Sequence, residues 1–392
     1  MKLSILLATV SGCLALYDPS SYTDRPCGDD ITNLWLDVVA VVDNSKGMRF
    51  DGLQSIAASL VSVFGAGTRI GVNSTEKRTT RVGLVSYNEK ARVNADLTTY
   101  TSFDDLFSGV YTALNDVSST ELSYLSNGLG AAADLFKKQS FGTTRDHYKK
   151  VVIVFASAFK GSGDLDPLPV AEKLRTDGAF IVTVAYDQDG NGDLMDKLNL
   201  IATPGFNFSN TEEGGNLIGK IQGALMQSNC FCPNNYDQYR VSFADKFSYR
   251  YGSCLLPVNI AASWKPAQMS CRNRKAYLAT EFTQHKHDFI VKSVSSTTGF
   301  HPPLSYHIGL NQVLGKWVWD QPQGLPQIEL RSWFNWSPTY PKKSSSFPGV
   351  QNLQNSNSTQ WQNIDAFKVS TNYICEAYAC DTDNYCDDNG TL

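Results

Sequence analysis

Over the first half of the chain the hydrophobic positions switch between two periods. Leu34 to Val42 is almost wholly apolar, with Asp37 inside it, which is the pattern of a strand buried on both faces. Leu53 to Phe64 follows with apolar residues at helical spacing. Arg81 to Leu97 predicts two strands, the run Val82-Gly83-Leu84-Val85-Ser86-Tyr87 and then the alternation Arg92, Val93, Asn94, Ala95. Helices are predicted over Phe103 to Leu114, Asn127 to Lys138, Val170 to Arg175, Leu194 to Ile201 and Asn216 to Gln227. Between them Lys150 to Phe155 and Phe180 to Tyr186 read as further buried strands. Apolar strands alternating with helices imply an α/β doubly wound parallel sheet, whose ligands bind beyond the carboxyl ends of the strands.

The pattern changes at Cys230. From there Cys, Trp, Tyr, Pro and Asn are frequent and helical periodicity is weak, which predicts a disulfide-stapled α+β domain with long loops. Lys342 to Thr359 is rich in Ser, Asn and Pro and reads as a long surface loop. At the start, Met1-Lys2 and the apolar run Leu3 to Leu16 read as a secretory signal peptide, too short to span a bilayer, with Cys13-Leu14-Ala15 as cleavage site. The expected organisation is a signal peptide over 1–15, a polar leader over 16–30, the α/β domain over 31–229, the stapled domain over 230–378 and an acidic tail over 379–392.

Composition supports a secreted, extracellular chain. Of the nine cysteines, cleavage removes Cys13, and the even number left suggests full pairing in an oxidising compartment. Glycosylation sequons stand at Asn73, Asn207, Asn335, Asn357 and Asn389. A net charge of -4 without any basic stripe argues against nucleic-acid partners, and no later apolar stretch is long enough for a membrane span. There is no G-x-S-x-G elbow, no H-E-x-x-H and no P-loop, so the chain is not expected to be an enzyme. His285-Lys286-His287 reads as a solvated strand rather than a zinc pair.

Asp43-Asn44-Ser45-Lys46-Gly47 directly follows the first buried strand. With Asp37 upstream and the Val-Gly-Leu-Val-Ser-Tyr strand downstream, Leu34 to Ser228 resembles a von Willebrand factor A domain. The resemblance implies a metal-ion-dependent adhesion site made of an Asp-x-Ser-x-Ser turn, a later Thr and a later Asp, holding Mg2+ through hard oxygen ligands. Asp43 and Ser45 match, and Ser123, five residues before Gly128, falls at the Thr. Gly47 offers no oxygen where the second Ser should be, and Ser157 falls where the second Asp should be. One carboxylate and a few hydroxyls make a degenerate site. Asp187 to Asp193 mimics the start of an EF-hand loop, but Leu198 stands at the position of the bidentate Glu, and an acidic surface loop is expected.

In the second half, Trp264-x2-Ala267-x3-Cys271, Ile308-Gly309-Leu310, Trp317-Val318-Trp319 and Tyr373-Ile374-Cys375-Glu376 follow in order. Together they resemble a C-type lectin-like domain over Cys232 to Glu376. The resemblance implies the pair Cys271–Cys375 and the extra N-terminal pair Cys232–Cys254; the family's second internal pair is missing. Cys27 and Cys230 could then clasp the ends of the first domain, and Cys380 and Cys386 could close a small tail loop, although sequence does not fix connectivity. Calcium-dependent sugar binding in this family uses Glu-Pro-Asn or Gln-Pro-Asp in the long loop and Trp-Asn-Asp on a late strand. Here Tyr340-Pro341-Lys342 fills the first motif, and Trp361-Gln362-Asn363-Ile364-Asp365 offers either Gln362 and Asn363 or Asn363 and Asp365 for the second. Tyr is a poor Ca2+ ligand and Lys repels the ion, so the calcium site has departed. Mg2+ and Ca2+ remain the ions that the two resemblances raise, and neither is required as a cofactor.

Aromatic rings offer another route to a ligand. Trp333, Trp336, Tyr340 and Trp361 lie in or near the expected long-loop face, and Trp317 and Trp319 read as core. The candidate ligand-binding set is Trp336, Tyr340, Lys342, Asn363 and Asp365. As a whole the chain is similar to nematode-type secreted C-type lectin proteins with an N-terminal von Willebrand A domain. That implies extracellular recognition of glycans or microbial surfaces, in innate defence. The alternative is protein–protein adhesion or a matrix scaffold acting through the first domain.

Overall fold

The computed structural model describes residues 22–387 apart from 66, 74, 187–191, 212–214, 344 and 357. The signal peptide, sequons Asn357 and Asn389 and most of the Asp187 to Asp193 loop lie outside the described residues. The first domain runs β1 (Leu36–Asp43), α1 (Arg49–Phe64), β2 (Arg81–Tyr87), β3 (Ala91–Ala95), α2 (Phe103–Ala113), α3 (Leu125–Gln139), β4 (Lys149–Ala156), α4 (Pro167–Thr176), β5 (Phe180–Ala185), α5 (Asp193–Asn199), β6 (Asn207–Ser209) and α6 (Leu217–Ser228). The sheet order is β3-β2-β1-β4-β5-β6, parallel except for the β2–β3 pair.

β1 is apolar throughout because it feeds two cores. Successive side chains point to opposite faces. Leu36, Val38, Ala40 and Val42 pack with Leu53, Leu60, Val110 and Leu225 from α1, α2 and α6. Val39 and Val41 pack with Leu125, Leu129, Leu174 and Leu198 from α3, α4 and α5. Asp37, the one charge inside the run, is fully buried and accepts hydrogen bonds from Arg81, Arg145 and Ser140. Burial pushes its carboxyl up, but the Arg81 and Arg145 guanidinium groups outweigh that and hold it below the usual range.

The second domain runs β7 (Asp237–Arg240), β8 (Arg250–Ser263), α7 (Trp264–Arg272), β9 (Tyr277–Leu278), α8 (Gln284–Ser296), β10 (Ser305–Val313), β11 (Lys316–Trp319), β12 (Ile328–Glu329), β13 (Gly349–Asn355), β14 (Ser358–Ile364) and β15 (Ser370–Tyr378). Its main path is β12-β11-β10-β15-β8-β7, with the β13–β14 hairpin paired to β10. Cys271–Cys375 ties α7 to β15, and Cys232–Cys254 ties the entry segment to β8. Cys27–Cys230 and Cys380–Cys386 also form, so all four pairings suggested by the sequence are present.

Lys342 to Thr359, expected as a long surface loop, instead contains β13 and the start of β14. The polar leader and the acidic tail both pack on the domains. Tyr22 packs 4.7 Å from Phe282 and accepts a hydrogen bond from Trp319 Nε1, and Asp24 pairs with buried Lys286 at 3.3 Å. The acidic tail, over Ala379 to Asp387, is also structural. Phe231 and Cys380 exchange backbone hydrogen bonds, and buried Asp381 pairs with Arg25 at 2.6 Å. The leader meets the tail through Arg25 and Asp381, and the tail covers Trp35, which is wholly buried, donates Nε1 to Asp381 O at 2.9 Å and donates its backbone N–H to Asn229 Oδ1. Its ring touches Tyr148, Phe231 and Tyr385. Trp35→Ala is expected to cost about 3–5 kcal/mol, seen as a lower urea midpoint by tryptophan fluorescence; an unchanged midpoint would show that the junction is not a major source of stability.

Candidate ligand-binding sites

The long loop of the second domain lies between β12 and β13 and rests on an aromatic stack. Trp361 is fully buried, with Trp319, Trp333 and Trp336 edge-on to it at 5.6, 5.0 and 5.6 Å. Trp336 also packs 4.9 Å from Trp317 and is half-buried. Trp361 is therefore core, and Trp336 presents an edge to the surface. Below the stack sits a polar knot. Glu281, wholly buried, accepts from Trp361 Nε1 at 2.7 Å, Asn352 Nδ2 at 2.9 Å and His287 Nδ1 at 3.0 Å. Burial would lower the His287 pKa, but the Glu281 charge and hydrogen bond outweigh that and raise it.

His285, Lys286 and His287 therefore do not form a solvated strand. They open α8, capped by Thr283, whose hydroxyl accepts from Lys286 N. Lys286 is buried and pairs with Glu376 at 2.8 Å, while His285 holds Tyr239. The signal missed was the Thr283 cap followed by Phe289, Ile290 and Val294 on one helical face.

The lectin candidates divide. Tyr340 is half-buried and Lys342 is exposed, with its ammonium 4.9 Å over the Tyr340 ring. Asn363 is buried and fully used: its Oδ1 accepts from Lys342 N at 2.7 Å, and its Nδ2 donates to Lys342 O and Phe347 O. Asp365 caps the turn after β14, accepting from Phe367 N and Lys368 N, and the Phe367 bond leads in holding its carboxyl below the usual range. These residues do not fit a resident Ca2+ ion. The Asn363 amide is tied to the loop backbone through both Oδ1 and Nδ2, Tyr340 and Lys342 bring no anionic oxygen, and among the described residues no group of three His, Cys, Asp or Glu is placed to hold a metal ion.

In the first domain Asp43 ends β1 at the carboxyl edge of the sheet. Gly128 lets α3 approach closely: a Cβ there would meet Val41 Cγ1 at 2.6 Å and Tyr87 Cδ1 at 2.9 Å. That approach brings Ser123 to Asp43. Asp43 Oδ2 accepts from Ser123 Oγ at 3.0 Å, Ser157 Oγ at 2.6 Å and Ser157 N at 3.2 Å, and Oδ1 accepts from Ser45 N at 2.9 Å. Asp43, Ser123 and Ser157 side chains and the Ser45 backbone N–H thus lie together, at the four positions singled out in the sequence. One buried carboxylate, closed on itself by serine donors, does not fit a resident divalent ion. On the rim Lys46 pairs with Glu121 at 2.9 Å, and Lys160 reaches Glu121 O.

The sequons separate by geometry. Asn73 is exposed, its Oδ1 takes Thr75 N and Oγ1, and no described group holds its Nδ2. Asn207 Nδ2 donates to Met195 O, and Asn335 Nδ2 reaches His287 Nε2 and Thr359 O. A glycan replaces a hydrogen on that nitrogen, so the last two would lose internal bonds.

Two outcomes follow from this geometry. Calorimetry with Mg2+ should show no micromolar binding to the native chain, and Gly47→Ser with Ser157→Asp should create it; tight native binding lost on Asp43→Ala would refute the closed site. Glycopeptide mass spectrometry of the protein secreted from eukaryotic cells should find Asn73 occupied and Asn207 and Asn335 bare.

Comparison with known proteins agrees with the two halves. Residues 37–223 match the von Willebrand factor type A domain, and residues 260–377 match the Lectin C-type domain. C-type lectin domain-containing protein 160 of Caenorhabditis elegans is 27% identical over 382 residues, covering 92% of this chain. The chain spans only 56% of that relative's length. Among solved structures, proximal thread matrix protein 1 from the mussel byssus is 16% identical over 53% of this chain and 51% of its own, at a TM-score of 0.41. A complex of SPL-1 with GlcNAc is 21% identical over 38% of this chain and 96% of its own, at a TM-score of 0.30. No described helix is long and apolar enough to cross a membrane. With the two family models matching over residues 37–223 and 260–377, the chain joins a von Willebrand factor type A domain to a C-type lectin domain.

Proposed function

We propose that this is a secreted extracellular recognition protein whose lectin domain binds glycans, including those of microbial surfaces in innate defence, without a calcium ion. The observation that carries this reading is the closure of Asn363 onto the Lys342 backbone. The amide that would share a calcium ion with sugar hydroxyls instead fixes the loop, and fixing it sets Tyr340 and Trp336 at the surface. Rings so placed can stack on the apolar face of a sugar. The four disulfides fit an extracellular setting. No catalytic role is proposed for either domain.

A second reading, adhesion or matrix scaffolding through the first domain, is favoured by Phe50 and Leu122. Both are exposed, at 51% and 40%, on segments that follow or face the Asp43 turn. A glycan array probed with and without EDTA separates the two. Binding is expected to survive EDTA and to weaken roughly tenfold, about 1.4 kcal/mol, in Tyr340→Ala. EDTA-sensitive binding abolished by Asn363→Ala would overturn the calcium-free reading. An array without any hit, together with partner capture by the first domain, would favour adhesion.

A further inference from the structure

The stretch from Leu330 to Ile364 contains Arg331, Lys342 and Lys343 and no Asp or Glu. In a chain of net charge -4 this is a local reversal of sign. The fold adds another cation to it. Asn363 grips the backbone of Lys342 at both N and O. Asp365 follows Asn363 by two residues, about 7 Å along an extended chain, and Lys368 Nζ stands 3.6 Å from Asp365 Oδ2. Lys342, Lys343 and Lys368 therefore gather at one end of β14, three cations around a single carboxylate, whose Oδ1 takes two backbone N–H groups and whose Oδ2 faces Lys368. The three lysines are exposed, Lys368 at 84%. Two rings share the patch: Tyr340 beneath the Lys342 ammonium, and Phe367, which is 72% exposed.

We infer that this lysine–ring patch is a binding site for acidic saccharides, those bearing sulfate or carboxylate groups; the inference rests on the glycan-recognition reading above. Ammonium groups only donate hydrogen bonds, so they select a ligand rich in acceptors and gain most from an anionic one. A neutral sugar offers hydroxyls that want an acceptor as well as a donor, and the Asn363 amide that could supply both is occupied. The rings supply a stacking surface for the pyranose face while the lysines hold the acidic group at its rim. The sequence had pointed to Tyr340 and Lys342 here. Lys343, Phe367 and Lys368 join them only through the fold, and Asn363 and Asp365 act as the frame rather than as contacts.

Surface plasmon resonance on the full chain tests the inference with three immobilised hexasaccharides: chondroitin sulfate, unsulfated chondroitin and chitin. Chondroitin sulfate tests the sulfate, unsulfated chondroitin the carboxylate alone, and chitin the neutral case. One or both acidic probes should bind at least roughly tenfold more tightly than chitin, and the preference should shrink as salt rises. Combining Lys342→Glu, Lys343→Glu and Lys368→Glu should abolish the preference. Lys343→Glu alone, on an exposed side chain, should reduce it in a protein with an unaltered melting midpoint. Equal binding of all three probes would sink the acidic preference and spare glycan recognition, whereas binding of none would sink both. An acidic preference that survives the triple variant would refute this location. Capture by phosphatidylserine vesicles with no oligosaccharide binding would replace the saccharide by a lipid surface and overturn the inference.

Discussion

The way the chain enters and leaves its first domain governs the rest of the structure. Tyr22 and Asp24 lie on the lectin domain before the first domain begins, and the chain returns to the lectin domain at Cys230. Cys27–Cys230 closes a separation of 203 residues at that gate, worth about 5 kcal/mol on a chain-entropy account. Beside it Trp35, Phe231, Tyr385 and the Arg25–Asp381 pair fill the space between the domains. Removing one partner of a buried pair leaves an uncompensated charge, so Arg25 and Asp381 depend on each other more than either strengthens the fold alone. The lectin domain is in this sense completed by residues from both ends of the described chain.

Inside the lectin domain, a network takes over the work that cysteines or calcium ligands would do for the long loop. Glu281 gathers three donors from three segments, the β13 strand, the β14 strand and α8. His287 passes the network on to Asn335 in the long loop itself. Over it Trp333 and Trp336 pack edge to face with Trp361, and Trp317 lies tilted against Trp336, an arrangement that adds specific geometry to burial. A loop anchored at its base by buried donors and along its length by rings can hold a surface without an ion at its tip.

How much of this was legible follows from where each signal lives. β1 was plain because burial on both faces forces a continuous apolar run. The cysteine and tryptophan frame was plain because each residue type has few structural uses. β6 was missed because three residues, Asn207 to Ser209, carry no period and exist only as partners of β5. Lys286 looked solvated because Glu376, which neutralises it, lies 90 positions away. The packing of the acidic tail was not legible because Arg25, its counter-charge, is 356 positions from Asp381. Local pattern reports local contacts; a buried charge can be recognised only once the distant partner is known. The same limit hid Lys343, Phe367 and Lys368, which gather with Lys342 through the pairing of Asn363 with the loop backbone.

On the reading proposed above, the two candidate sites differ in their electrostatics. In the first domain a serine stands for an aspartate, so one negative charge is lost and the remaining carboxylate of Asp43 is satisfied by Ser45, Ser123 and Ser157. That site is closed: its acceptors point inward and its field is small. In the lectin domain the ligand positions hold Tyr340 and Lys342, so the loss of acceptors comes with a gain of cation. There the sign is inverted. A divalent ion in such a fold serves as a positive centre that draws oxygen atoms of a ligand to a protein made mostly of acceptors. Lysines at the same end of the strand supply positive charge directly and at no cost in ion binding, but without an ion's fixed coordination geometry. Directional recognition must then come from the rings and from the loop that carries them, which is why the anchoring of that loop by Asn363 matters more than any single charge on it.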